Sequence, residues 1–262
     1  MIRYALLGLI QGLTEFLPVS SSGHLVLAGR WIGLDPPGVL LEAMLHWGTL
    51  LAVLLVFRKD LAAMIMALGG RGRIEDRKRI GFLVAGTLPI VVTGLLLRGP
   101  VEQAFSSVLV VGIGLIVSAG FLFAASLLQV HARRATLCFS DSMVVGCAQT
   151  LSLVPGISRS GVTISTGLVA GLTPEGATRF SFLLSIPALL GAGLLHLIEA
   201  LQAPQQFDWA GLAIGTAVSF GVGLLAIHAL LGLVRRRKLW WFAIYCLGLG
   251  LGTLGWSVLT PG

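Results

Sequence analysis

Six stretches of the chain are apolar over about the twenty residues a bilayer span needs: 38–57, 80–97, 107–130, 176–198, 209–233 and 239–259. Each predicts a transmembrane helix. Two further regions, 3–34 and 141–172, have a different pattern. Each holds two apolar pieces separated by a polar break, LPVSSSG at 17–23 and VPGISRSG at 154–161. A piece of about 14 residues makes roughly 21 Å of helix, short of a ~30 Å hydrocarbon core. Proline ends the first piece and serine can cap the second. Both regions therefore predict re-entrant helical hairpins whose tips lie at membrane depth.

Composition makes the membrane class firm. Of 262 residues, 56% are hydrophobic and 11% charged, with mean hydropathy +0.94. A soluble domain carries about a quarter charged residues. The expected fold is an all-α integral membrane protein, a single membrane domain over 1–262. The net charge of +7 sits in short runs between apolar stretches (RGRIEDRKR, HARR, RRRK), as in cytoplasmic loops, so no nucleic-acid partner is expected. Loops 58–79, 131–140 and 235–238 hold seven, two and four Lys or Arg, whereas 98–106 and 199–208 together hold only Arg98. This alternation closes if both short regions return to the side they entered from. The positive-inside rule then puts both termini outside, with the first hairpin entering from outside and the second from inside. Arg3 followed by YALLGLI has the start of a signal peptide, but Gln11, Thr14 and Glu15 follow without a small-residue cleavage site, so the segment is expected to be retained. Cys138, Cys147 and Cys246 lack paired spacing and read as buried small hydrophobes.

The two interrupted regions are related. At an offset of 138, Gly8, Gln11, Leu13, Ser20, Ser22, Gly23, Gly29, Gly33 and Leu34 match Gly146, Gln149, Leu151, Ser158, Ser160, Gly161, Gly167, Gly171 and Leu172. The units 3–130 and 141–259 each contain a hairpin and three spans. Three is odd, so the copies must be inverted. Such repeats with broken helices place a site at their interface near the midplane.

Polar side chains at that depth are costly and mark function. Each tip precedes a helix, whose free N–H groups and dipole favour an anion. The second tip adds Arg159, a planar fork matched to phosphate oxygens, with Ser158, Ser160 and Thr163 as candidate substrate contacts. The first adds Ser20, Ser21, Ser22 and His24, and Gln11 and Glu15 share the helix face leading to it. A guanidinium, hydroxyls, a histidine and a carboxylate suit phosphoryl transfer. Glu15 with the Gln11 carbonyl offers part of a divalent metal shell, Mg²⁺ or Ca²⁺. The competing reading is a structural Glu15–Arg159 ion pair. Glu42 and His46, at i,i+4, either support the site or bond each other. Glu175 and Arg179 predict an i,i+4 pair. His131 falls in a basic loop, His196 and His228 read as packing residues, and Trp240 and Trp241 as interface anchors.

QGLTE (11–15), FLPVSSSGH (16–24) and PGISRSGVT (155–163) resemble the two signature motifs of the bacterial undecaprenyl-diphosphate phosphatases, the bacitracin-resistance proteins. HWGTLLAVLLVFRKD (46–60) and FSFLLSIP (180–187) extend the likeness, and length and span pattern agree throughout. The resemblance implies hydrolysis of undecaprenyl diphosphate to undecaprenyl phosphate. It implies a polyprenyl diphosphate and membrane lipids as partners, in a bacterial inner membrane, with the site open to the periplasm. It assigns essential roles to Glu15, His24 and Arg159, proposes Ser21 as nucleophile and requires a divalent metal. Some members carry a second glutamate where this chain has Gln11, so any metal role of Gln11 is neutral ligation. A homodimer is one assembly left open. The rival class is a transporter or flippase of a polyprenyl phosphate lipid, because inverted repeats with broken helices also build transporters.

Overall fold

The computed structural model describes residues 1–33, 39–128, 134–202 and 207–259. Leu34 of the first hairpin, the predicted span ends at 38 and 129–130, and His131 lie outside the described residues, as do parts of the loops 131–140 and 199–208. Among the described residues the chain is helical, and its one isolated bridge joins Arg134 to Leu172.

The first region forms α1 (Ile2–Phe16) and α2 (Ser21–Trp31). The break falls where the sequence puts it for a steric reason. Leu17 precedes Pro18, and the residue before a proline is pushed out of the helical region; Leu17 is extended at φ −66°, ψ 143°. The second region repeats this. Helix α8 (Phe139–Gln149) runs into one 3₁₀ turn, Thr150–Leu153, and Val154 turns extended before Pro155, after which α9 (Arg159–Val169) begins.

Between and after them come α3 (Val39–Val56), α4 (Arg58–Leu68), α5 (Ile74–Leu96), α6 (Arg98–Phe105), α7 (Val108–Leu128), α10 (Pro174–Gln202), α11 (Trp209–Arg235) and α12 (Trp240–Leu259). Helices α5, α7, α10, α11 and α12 are long and apolar enough to cross a membrane, and α3 with α4 makes a sixth candidate bent by 75° at Phe57. Helix α4 departs from the sequence reading, which left 58–79 as a loop. RKDLAAMIMAL is built from strong helix formers with Asp60 in the first turn, so it forms a helix of its own although too short to span.

Helix α1 packs along α11, and its counterpart α8 packs along α5; α7 pairs with α12 and α3 with α10. Close approaches fix the second break. A Cβ at Gly114 of α7 would stand 2.5 Å from the Pro155 carbonyl oxygen and 2.9 Å from Gly156 Cα, backbone atoms that cannot swing aside. Gly114→Val is expected to destabilise the fold by about 1–3 kcal/mol, the usual cost of overpacking. A thermal melt in detergent that matched wild type would refute this.

Side-chain contacts sort the loops into two groups. Arg134 bonds Asp141 at the start of α8 (3.0 and 2.9 Å) and the Ala170 carbonyl at the end of α9 (2.8 Å). Burial opposes the charge of Asp141, yet the Arg134 bonds and the Cys138 N–H hold its carboxyl below the usual range. Asp60 pairs with Arg179 at the start of α10, and Glu175 lies 3.7 Å from Arg235 at the end of α11. The predicted Glu175–Arg179 pair is thus not formed. An i,i+4 pair is worth only a few tenths of a kcal/mol, whereas the Asp60 side chain, 11% exposed, needs a cation and captures Arg179. In the second group, Arg98 bonds Glu199 (2.5 Å), Arg30 at the end of α2 bonds the Ser106 carbonyl (2.5 Å), and the Tyr4 ring of α1 lies against Gly211 of α11.

Candidate active site

Helix α1 presents Gln11 and Glu15 on one face, both buried, and the Gln11 amide donates to Glu15 Oε2 at 3.0 Å. Past Pro18 the chain must reverse within three residues, and Ser20 takes φ 71°, a conformation that costs a residue with a side chain. This turns its carbonyl toward α2, where it accepts from the His24 backbone N–H (3.2 Å) and from the ring at Nδ1 (2.7 Å). The Ser20 hydroxyl caps α2 by accepting from Gly23 N–H (3.3 Å) and lies 3.3 Å from Ser22 Oγ. At the second tip Gly156 makes the reversal, at φ 92°. The capping set is the same: Ser158 Oγ accepts from Gly161 N–H (3.1 Å) and lies 3.2 Å from Ser160 Oγ.

The two tips touch. Ser160 Oγ donates to the Leu17 carbonyl at 3.1 Å, and a Cβ at Gly23 would be 3.1 Å from Gly156 Cα. Arg159 Nη2 donates to Glu15 Oε1 at 2.7 Å. The other carboxylate oxygen accepts from Ser21 Oγ at 2.6 Å, with His46 Nε2 3.9 Å away. Two buried polar atoms at this centre have no partner: Arg159 Nη1 and Gln11 Oε1. Buried polar atoms are nearly always bonded, so an unfilled donor and an unfilled acceptor beside one carboxylate indicate room for a ligand.

Glu15, Ser21, Arg159 and Gln11 thus come together as the sequence suggested, and the ion pair forms as well. Other candidates are placed differently. His24 does not bond Ser21. Its Nδ1 faces a carbonyl, which only accepts, so Nδ1 carries the proton and Nε2 accepts from the Tyr245 hydroxyl at 2.7 Å. The two rings stack at 8°. The hydroxyls of Ser158, Ser160 and Thr163 are buried and committed within the protein, Thr163 to the Arg159 carbonyl (2.8 Å) and Ser181 Oγ (2.6 Å). The sequence reading made them substrate contacts; in the structure they hold the second tip, and Arg159 Nη1 is the side-chain donor of that tip left without a partner. His46 bonds the Glu42 carbonyl rather than its carboxylate (2.8 Å) and turns its other nitrogen to Glu15, so it supports the site. His228 makes a hydrogen bond to the Leu224 carbonyl but is exposed rather than packed. Of the cysteines expected to be buried only Cys246 is, Cys138 and Cys147 being exposed near the ends of α8.

Tyr245 is the residue sequence reasoning missed. It lies 221 positions from His24 within an apolar span, and its only signal is being one of two tyrosines in the chain. Tyr245→Phe removes the bond that holds His24 Nε2 while keeping the stacked ring. Turnover is expected to fall about tenfold with little change in KM and with a displaced pH optimum, as for loss of one hydrogen bond of about 1–1.5 kcal/mol. An unchanged pH–rate profile would remove Tyr245 from the site.

A divalent cation is compatible with these donors. No cluster of three or more His, Cys, Asp or Glu occurs among the described residues, so no all-protein cage is available. Magnesium, however, accepts one carboxylate with substrate phosphate oxygens and water, and the unfilled Gln11 Oε1 beside Glu15 could serve as a neutral ligand.

Long apolar helices around a buried acid–arginine–serine centre at two helix breaks define a multi-pass membrane protein with a polar site suited to an anion. The family model described as Bacitracin resistance protein BacA matches residues 4–252, a span that includes every residue of the site, and the chain belongs to that family. The undecaprenyl-diphosphatase of Desulforapulum autotrophicum is 39% identical over 260 residues, 94% of each chain. Those of Alcanivorax borkumensis and Korarchaeum cryptofilum are each 41% identical over 258 residues, 95% of this chain and 96% of the relative.

Proposed function

We propose that this protein is a membrane phosphatase that hydrolyses undecaprenyl diphosphate to undecaprenyl phosphate and inorganic phosphate, recycling a lipid carrier for cell-wall polymers and so conferring bacitracin resistance. The observation that carries the reading is the unfilled, buried Arg159 Nη1 beside a serine hydroxyl already bonded to a carboxylate. Arg159 and the N-termini of α2 and α9 hold the terminal phosphate. Ser21 Oγ attacks its phosphorus, Glu15 takes the hydroxyl proton, and the bridging P–O bond breaks to release undecaprenyl phosphate. Water then cleaves the phosphoserine. A divalent cation held by Glu15 and Gln11 Oε1 would supply further neutralisation of the phosphate charge. His24, held at Nδ1 by the Ser20 carbonyl, takes a proton at Nε2 through the Tyr245 hydroxyl, which passes on its own proton and takes one from water. In the second route water replaces Ser21 as the nucleophile and is activated by His24 through the Tyr245 hydroxyl; no bond links His24 to Ser21.

We place this chemistry in six spans and two re-entrant hairpins, 3–34 and 141–172, arranged as the inverted repeat 3–130 and 141–259. Supporting this, Arg134 ties together the start of α8 and the end of α9, next to the basic loops. The start of α1 and the end of α2 lie by contrast beside α11's start and Ser106. The positive-inside rule puts the basic end in the bacterial cytoplasm and the first hairpin's entry on the periplasmic side. The test is phosphate release from undecaprenyl diphosphate by purified protein in detergent, with and without chelator. Release that chelator abolishes is expected; binding without hydrolysis would instead identify a carrier.

A further inference from the structure

A polar cavity of about 620 Å³ opens between α4, the start of α5 and the start of α10, and shares no lining residue with the Glu15–Arg159 centre. Five cationic side chains line it against two carboxylates. The acids, Asp76 buried and Asp60 with its side chain 11% exposed, are already committed. Asp60 pairs with Arg179 and stands 3.9 Å from Arg79, and Asp76 bonds Arg79 at 3.1 Å. Lys59, Arg71 and Arg73 have no side-chain partner among the described residues. The cavity therefore carries three uncompensated positive charges beside two guanidiniums paired with its acids, a basic site that suits a phosphate group.

Its surroundings say where that phosphate comes from. Helix α4 leaves α3 at 75°. It exposes Ile65 (68%), Met66 (54%) and Leu68 (65%), and Met66 is shared with the cavity wall. A short helix with an apolar exposed face beside basic residues lies in the membrane interface. We infer that this cavity binds the headgroup of an anionic phospholipid, its phosphate between Lys59, Arg71 and Arg73 and its acyl chains along the exposed face of α4. Basic pockets at the ends of membrane helices bind such headgroups.

The inference does not depend on the phosphatase reading, and the test reads binding. Thermal midpoints of detergent-solubilised protein are measured on addition of phosphatidylglycerol, phosphatidylcholine or inorganic phosphate at matched ionic strength. The variant Lys59→Gln/Arg71→Gln/Arg73→Gln removes only unpartnered side chains, so its lipid-free midpoint should match wild type. Phosphatidylglycerol is expected to raise the wild-type midpoint while phosphatidylcholine does not, and the variant should need about a hundredfold more phosphatidylglycerol for the same rise. An equal response to both lipids, or a variant that responds like wild type, would overturn the assignment. So would inorganic phosphate reproducing the full rise, which would make the ligand a soluble phosphate. A variant with a lowered lipid-free midpoint is replaced by single Arg71→Gln, whose expected loss is about fivefold.

Discussion

Replacement of Arg159 by alanine is expected to abolish phosphate release, by at least a factor of about 10³. Arg159 makes the only charged contact between the second tip and Glu15 among the described residues, at 2.7 Å, and its other nitrogen is the unfilled donor that a phosphate oxygen would occupy. Losing a preorganised donor at a site of developing charge costs about 10²–10³ by itself. Loss of the guanidinium charge adds to that. The alanine variant also strands a buried carboxylate, a change worth about 3–5 kcal/mol of stability, so lost activity alone would be ambiguous. Arg159→Lys separates the two effects. It keeps the charge beside Glu15 but loses the planar fork, and should fold with a near-native melt while turning over at least about a hundredfold more slowly. Glu15→Gln should lose turnover to a similar extent, since the amide keeps the shape but can take no proton from Ser21, and it should melt lower than Arg159→Lys because Arg159 loses its counter-charge. Wild-type turnover in either conservative variant would sink the proposed centre.

The second large effect concerns Ser21. Its hydroxyl proton already points at Glu15 over 2.6 Å, and no bond links it to His24. If Ser21 is the nucleophile, Ser21→Ala removes the attacking atom and turnover falls by at least about 10³. Acid quench of wild type with labelled diphosphate then traps a phosphoserine. An alanine variant within about tenfold of wild type, with no trapped phosphoenzyme, would pass the nucleophile's role to water activated by His24.

Much of this centre is legible in sequence because the membrane narrows the choices. An apolar run of about twenty residues has few fates but to span, and a Pro followed by Ser-x-Ser-Gly in mid-run must break and recap a helix. The matching of Gln11 to Gln149 and Ser20 to Ser158 points to two such breaks before any contact is known. Two things resisted reading. Local spacing proposed the Glu175–Arg179 pair, but Asp60, largely buried and 119 residues away, outbid a weak surface pairing. Helix α4 is not visible to hydropathy taken over a whole span, because it is only eleven residues long and bends 75° from α3.

The amino-acid order alone determined where the long apolar helices run and where the two hairpins break, because those follow from steric rules at proline and from the cost of bare peptide groups in lipid. Folding in three dimensions decided the partnerships: Ser21 with Glu15 rather than His24, His24 with Tyr245, and Arg179 with Asp60. Hydrogen bonds and ion pairs form between whichever groups packing brings within about 3 Å, and separation along the chain carries no record of that distance.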